Sequence, residues 1–340
     1  MRNLILSALL LASVFQSAFA QGLLQEQFGS GANAFTMEFV TIGNPGNVAD
    51  TTGGSYPIIY RSPNPFGSVA NAYNLGKYEV SRDMIDKANS AGSLDITMSD
   101  MTSYGGNGVN RPATGITWYE AAKFVNYLNT SKGSTAAYKF DSSGNFQLWS
   151  STDAGYNANN LFRNSLAKFF LPSTDEWYKG AYGSPGGTWY DFPNSSDIPP
   201  TGVVGGTDAN TSVYVGQSGP SDVNNAGGLN AWGTMAQGGN VWEWMETAFD
   251  GINNAAVENL ELRGGAWNSF SVQLDASFRT SPPNASWEGF IGGFRVASTA
   301  SIPEPSSLSL LALGVVVVAS FTRRSRILRA RVDSNHRPAD

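Results

Sequence analysis

From Phe35 to Val40 apolar side chains fall at every second position, at Phe35, Met37 and Phe39, and this period of two predicts a strand. A Gly/Pro/Asn-rich loop follows as far as Pro65, and Tyr73 to Val80 reads as a second strand running into a helix. Ser81 is placed to cap that helix, Val80 and Ile85 to staple it, and Gly92 to end it. The clearest helix begins at Thr117. Thr117-x-x-Glu120 is a capping box, and Ala121, Phe124, Val125 and Leu128 follow at helical spacing before Gly133. A second box, Ser173-x-x-Glu176, opens a shorter helix through Trp177 and Tyr178 that stops near Gly183. Between Gly183 and Gly238 the chain is rich in Gly, Asn, Ser and Pro and poor in apolar anchors, so ions or tight turns must organise it. Short strands are expected around Val241 to Trp244, Glu261 to Trp267 and Gly293 to Ala297, and no internal repeat is present.

The two ends carry patterns of another kind. Arg2, the apolar stretch Leu4 to Phe15 and the small-x-small triplet Ala18-Phe19-Ala20 predict a signal peptide over residues 1–20. At the other end Pro303-Glu304-Pro305 precedes an apolar stretch, read as a transmembrane segment at 306–321, and then Arg323, Arg324, Arg326, Arg329 and Arg331. This order resembles the PEP-CTERM sorting signal, which implies exosortase-type processing and a membrane anchor in the segment 300–340. The chain departs from that pattern in continuing from Ile327 to Asp340. The expected organisation is therefore a signal peptide, one domain over residues 21–299 and the sorting segment, with display at the cell surface or in the extracellular matrix.

Composition narrows the chemistry. There is no cysteine, and the single histidine, His336, lies in the basic tail. The domain thus has no thiolate nucleophile, disulfide, imidazole base or His/Cys metal cage. Between residues 21 and 305, 14 Lys and Arg face 25 Asp and Glu, a net charge of −11. Such a domain disfavours nucleic acid and anionic surfaces and is compatible with divalent cations. All nine tryptophans lie in it, which predicts an aromatic core carrying turn-rich loops.

Five blocks line up in order. They are Gly76-Lys77-Tyr78-Glu79-Val80-Ser81; Ile116-Thr117-Trp118-Tyr119-Glu120-Ala121; Leu171-Pro172-Ser173-Thr174-Asp175-Glu176-Trp177; Gly239-Asn240-Val241-Trp242-Glu243-Trp244; and Arg263-Gly264-Gly265-Ala266-Trp267 with Gly293-Phe294-Arg295-Val296-Ala297. Together they resemble the formylglycine-generating enzyme (sulfatase-modifying factor) superfamily over about Phe35 to Ser298. The resemblance implies an α+β fold, a large variant of the C-type lectin-like fold. On physical grounds most of these residues read as structure: tryptophans as core anchors, Gly264 and Gly265 as turns or close approaches, Arg263 and Arg295 as forked ties between loops.

Family enzymes carry a copper-binding cysteine pair shortly after the Gly-Gly block. Here that segment runs from Asn268 to Leu274, with Ser269 where the first cysteine is expected, and a hydroxyl cannot replace a thiolate for soft Cu(I), so no copper is expected. The resemblance does imply calcium. One family site carries over to the carbonyls of Gly239 and Val241 and the carboxylate of Glu243, although its side-chain donor a few positions earlier falls on Ala236. A second carries over to Asn210 and Thr211, with Asp222 and Asn224 as further ligands. Oxygen donors in loops suit Ca²⁺.

Three functions are weighed. The first is a non-catalytic, exported domain binding polysaccharide or an envelope protein, with Trp189, Tyr190, Tyr214 and Trp287, all in loop-like sequence, as ligand-contacting residues. The second is an enzyme of changed mechanism using paired carboxylates, Asp175 with Glu176 or Glu243 with Glu246. The third is a matrix component with no discrete ligand.

Overall fold

The alternation at Phe35, Met37 and Phe39 becomes strand β2 (Phe35–Ile42), with these three side chains buried and Thr36 exposed between them. In the computed structural model, residues 23–53, 65–280 and 283–300 are described. The chain divides into two compact units, Met1–Thr299 and Ala300–Asp340. All of the second but Ala300 lies outside the described residues, as do the expected signal peptide and the apolar stretch 306–321. No helix among the described residues is long and apolar enough to cross a membrane.

Strand β1 (Leu23–Phe28), which the pattern did not signal, pairs antiparallel with β2 from Leu23↔Val40 to Phe28↔Phe35. Of its side chains only Phe28 is buried, because it lies at a sheet edge. β3 (Tyr73–Gly76), β6 (Phe169–Phe170) and β12 (Ala297–Thr299) complete an antiparallel five-stranded sheet in the order β1-β2-β3-β12-β6. Pairing Ala297 with Leu75 brings the last strand of the domain beside one of its first.

Each predicted helix forms, and for the predicted reason. Helix α1 (Arg82–Gly92) is capped by Ser81, whose hydroxyl accepts from Met84 N, with Val80 and Ile85 both buried. Helix α2 (Trp118–Thr130) opens on a complete box: Glu120 N donates to Thr117 Oγ1 (3.1 Å) and Thr117 N to Glu120 Oε2 (2.9 Å). Such a cap contributes about 1 kcal/mol. Helix α3 (Thr174–Tyr182) repeats the device with Ser173 and Glu176.

The second sheet is built on β9 (Trp242–Ala248), flanked antiparallel by β10 (Leu260–Arg263) and parallel by β11 (Gly292–Gly293). β10 stops short of the expected Trp267 because Gly264 and Gly265 take φ of +98° and +77° and turn the chain. The strand expected at 293–297 is split, β11 ending before Arg295 and β12 starting after it. The long segment after Gly183 is held by small pieces, among them the parallel pair β7 (Thr201–Gly202) and β8 (Thr211–Ser212), and β4 (Lys139–Phe140) and β5 (Phe146–Gln147) form a hairpin.

Tryptophan indoles lock these parts together. Trp118 Nε1, on α2, donates to Met245 O of β9 (3.1 Å), while Trp244 Nε1, on β9, donates to Ile116 O just before α2 (2.8 Å). Both rings are fully buried, so each satisfies its polar atom inside the core.

Candidate functional site

Most of the motif residues converge on a buried web of ion pairs. Arg295, fully buried, makes a two-pronged bond to Glu243: Nε to Oε2 and Nη2 to Oε1, both at 2.6 Å. Its remaining N–H groups reach Gly76 O (2.8 Å), Lys77 O (3.4 Å) and Met235 O (2.9 Å). Trp177 Nε1 adds a third donor to Glu243 (2.6 Å). Arg263 pairs with Glu261 and reaches Ala276 O and Phe278 O, and Arg279 also binds Glu261. Arg163 joins Glu176 to Glu246, and Tyr138 and Asn160 complete the shell of Glu246. The forked tying role expected of Arg263 and Arg295 is what the side chains do.

Glu79 is the one carboxyl of this web without a direct arginine. It accepts from Asn240 Nδ2 and from Val241 N (3.2 Å). Burial, and then the nearby charge of Glu243, push its carboxyl well above the ordinary 4.5. The folded state therefore holds a proton that the unfolded state releases near 4.5, and stability from this group is lost as pH rises above that value. Glu79→Gln cannot ionise. The stability of the variant relative to the parent should rise with pH between about 4.5 and neutrality, measured by chemical denaturation across that range. A difference independent of pH would mean that Glu79 titrates as an ordinary carboxyl.

Ser269 lies where the resemblance puts a cysteine. It is buried, and its Oγ accepts from Ala266 N (2.9 Å), while Ser269 O takes Val215 N. The neighbouring surface is an aromatic cluster, with Tyr104 stacked on Phe290 at 4.8 Å and tilted against Trp267 at 5.3 Å. Ser269 thus closes a turn and presents no activated hydroxyl.

The residues expected to hold calcium are placed as follows. In place of a calcium ligand, Glu243 is the anion of the Arg295 pair, and a second cation there would meet the guanidinium. The Gly239–Val241–Glu243 set therefore does not suit a metal. In the other set, Asn210 O accepts from Thr201 N and Thr211 O from Gly228 N, while Asp222 pairs with Arg111 at 3.3 Å and Asn224 is exposed. Among the described residues no three acidic, His or Cys side chains cluster in a way that could hold a metal.

The four aromatic residues expected to meet a ligand are not gathered in one place. Tyr214 is buried with Phe192 and Leu274 and donates its hydroxyl to Pro200 O, so it is a core residue. Trp287 packs edge-on against Trp244 at 6.0 Å, covering the main core. Tyr190 is half-buried, its backbone N bound to Tyr182 O. Trp189 lines a pocket of about 320 Å³, shared with Lys179, Trp232, Asn44 and Thr188. The last four were not singled out from sequence. Thr188 is the chain neighbour of Trp189 and Lys179 lies on the helix just before it, while Asn44 and Trp232 come from distant segments that only the fold brings in.

Two comparisons bear on this arrangement. Residues 36–300 match the family model of the sulfatase-modifying factor enzyme 1-like domain, and residues 301–326 that of the PEP-CTERM protein-sorting motif. The latter implies export and exosortase-type sorting. No curated protein matches the sequence. Among solved structures the chain is similar to Treponema denticola variable protein 1, at 20% identity and TM-score 0.55, over 82% of this chain and 99% of that one. It is also similar to PvdO from Pseudomonas aeruginosa, at 16% identity and TM-score 0.52, over 81% and 98%. These likenesses speak for the fold: a loop-rich α+β architecture of the C-type lectin-like kind.

Proposed function

The chain belongs to the sulfatase-modifying factor enzyme 1-like family, and from that membership we propose that it is an exported, non-catalytic module that binds polysaccharide or an envelope protein through the loops of its scaffold. The observation that carries this reading is Ser269. With no cysteine in the chain, the family's thiol chemistry is gone, and the residue standing in its place is buried and spent on a turn. The sorting motif implies export and exosortase-type sorting, which supports a place of action at the envelope or outside it.

The alternative of an enzyme with paired carboxylates draws no support from the geometry. Asp175 accepts from Gly67 N, whereas Glu176 is held by Arg163. Glu243 and Glu246 lie three residues apart on β9, on opposite faces, each within its own arginine pair. Neither pair converges on a common open site.

Residues 21–305, purified and mixed with exopolysaccharide and envelope fractions of the source cells, should bind one of them saturably. The titration is run with and without Ca²⁺, since Asn210, Thr211, Asp222 and Asn224 form the remaining cation set that the resemblance suggests. Failure to bind any fraction, under both conditions, would sink the proposal.

A further inference from the structure

One wall of the Trp189 pocket is a cation without a counter-ion among the described residues. Lys179 extends from helix α3, is 2% exposed, and its Nζ donates to Asn44 O (2.8 Å). It forms no ion pair among the described residues, and burial alone pulls its ammonium down to about 8. An ammonium has three donors, so two are left for another partner. Most buried lysines are paired; among the described residues this one is not.

The remaining lining is also rich in donors. Trp232 also lines the pocket, but it is 4% exposed and its Nε1 is out of reach of solvent. The Asn44 amide and the Thr188 hydroxyl bond nothing among the described residues. Trp189 supplies a flat wall. It is tilted against Tyr178 at 5.7 Å, and it lies so close to Gly67 and Gly183 that a Cβ there would fall 2.4 Å and 3.1 Å from the indole. Its ring is thereby fixed before any ligand arrives, which limits the entropy lost on binding. The volume lies at the small end of ligand sites, enough for about one sugar ring.

The geometry points to a site for a single uronic acid residue of a polysaccharide, with the carboxylate at Lys179, the ring against Trp189, and hydroxyls at Asn44 and Thr188, a local recognition that does not depend on the charge of the domain as a whole. This rests on the binding reading above and names the ligand class. A neutral sugar would satisfy the hydroxyl contacts yet leave the ammonium unpaired. A free peptide carboxylate would meet the ammonium but has no ring for the indole.

The test is calorimetric titration of the full-length chain, in detergent, with trisaccharides of galacturonate, glucuronate and mannuronate and with their carboxyl-reduced counterparts. At least one uronate should bind 10-fold or more tighter than its reduced form, the range expected of a charged hydrogen bond. Lys179→Gln should abolish that preference, and Trp189→Ala should weaken the charged and reduced forms alike. Thr188→Val, at the exposed rim, should weaken binding several-fold with an unchanged melting temperature, which separates lost recognition from lost folding. The site assignment is overturned if no uronate is preferred, if a folded Lys179→Gln keeps the preference, or if a short peptide carboxylate binds as tightly. Should the exopolysaccharide still bind in those cases, the broader reading survives and the ligand sits elsewhere; if nothing binds, both fall.

Discussion

Arg295→Ala should destabilise the domain by about 3–5 kcal/mol, the usual cost of removing one partner of a buried ion pair. The loss has identifiable parts. Glu243, 0% exposed, would be left with Trp177 Nε1 as its side-chain donor among the described residues, and the carbonyls of Gly76 and Met235 would lose their guanidinium N–H partners in the interior. Those carbonyls lie far apart in sequence, so one side chain holds the β3 end, the segment before β9 and β9 itself in register. For a domain of this size the expected fall in Tm is on the order of 10 °C. Arg295→Lys should recover little of it, since an ammonium cannot fork across a carboxylate and still reach both carbonyls. The double variant Glu243→Gln/Arg295→Met should be more stable than Arg295→Ala, because it removes the stranded charge along with its partner. Thermal melts of the four proteins decide the matter, and a loss below 1 kcal/mol for Arg295→Ala would show that the pair contributes little.

That experiment also marks where the sequence ran out. Capping boxes are local: Thr117 and Glu120 lie three residues apart, so the helix they start was readable without a fold. The same holds for Ser81 and Ser173, and for the alternation of β2. Glu243 is different. Its carboxylate could be read as a metal ligand or as a tie, and the choice depends on Arg295, 52 residues away, which no spacing rule connects to it. Tyr214 was misplaced for a related reason. Gly and Ser around it suggested an exposed loop, while its actual neighbours Phe192 and Leu274 arrive from distant segments. The pocket shows the same limit more sharply. Trp189 was visible as an aromatic in loop sequence, but nothing in the local pattern singles out Lys179. Only tertiary packing reveals that it is buried and, among the described residues, without an ion pair.

Gly239→Ala should cost about 2–6 kcal/mol, more than either of its two causes alone. Gly239 has φ of +90°, a conformation that side-chain-bearing residues rarely adopt, at a cost of about 1–3 kcal/mol. A Cβ there would also stand 2.4 Å from Val213 O and 2.9 Å from Ser212 Oγ, and relieving such overlap in a packed interior costs about 1–3 kcal/mol more. Val213 O cannot easily give way, since it accepts from Asn240 N (2.8 Å). Nor can Gly239 itself, whose N donates to Gly264 O (2.8 Å). Any shift would pass to Asn240, which joins Ser221 N to the Glu79 carboxyl, and from there to the ion-pair web. Gly216→Ala separates the two causes. Gly216 also has positive φ, +67°, but an added Cβ would meet nothing within 4 Å. That variant should lose only about 1–2 kcal/mol, the backbone part. Chemical denaturation of both variants measures the difference, which is the cost of the close approach at Gly239. Equal losses would mean that the chain at Val213 moves aside, and that this glycine is required for its backbone angle alone.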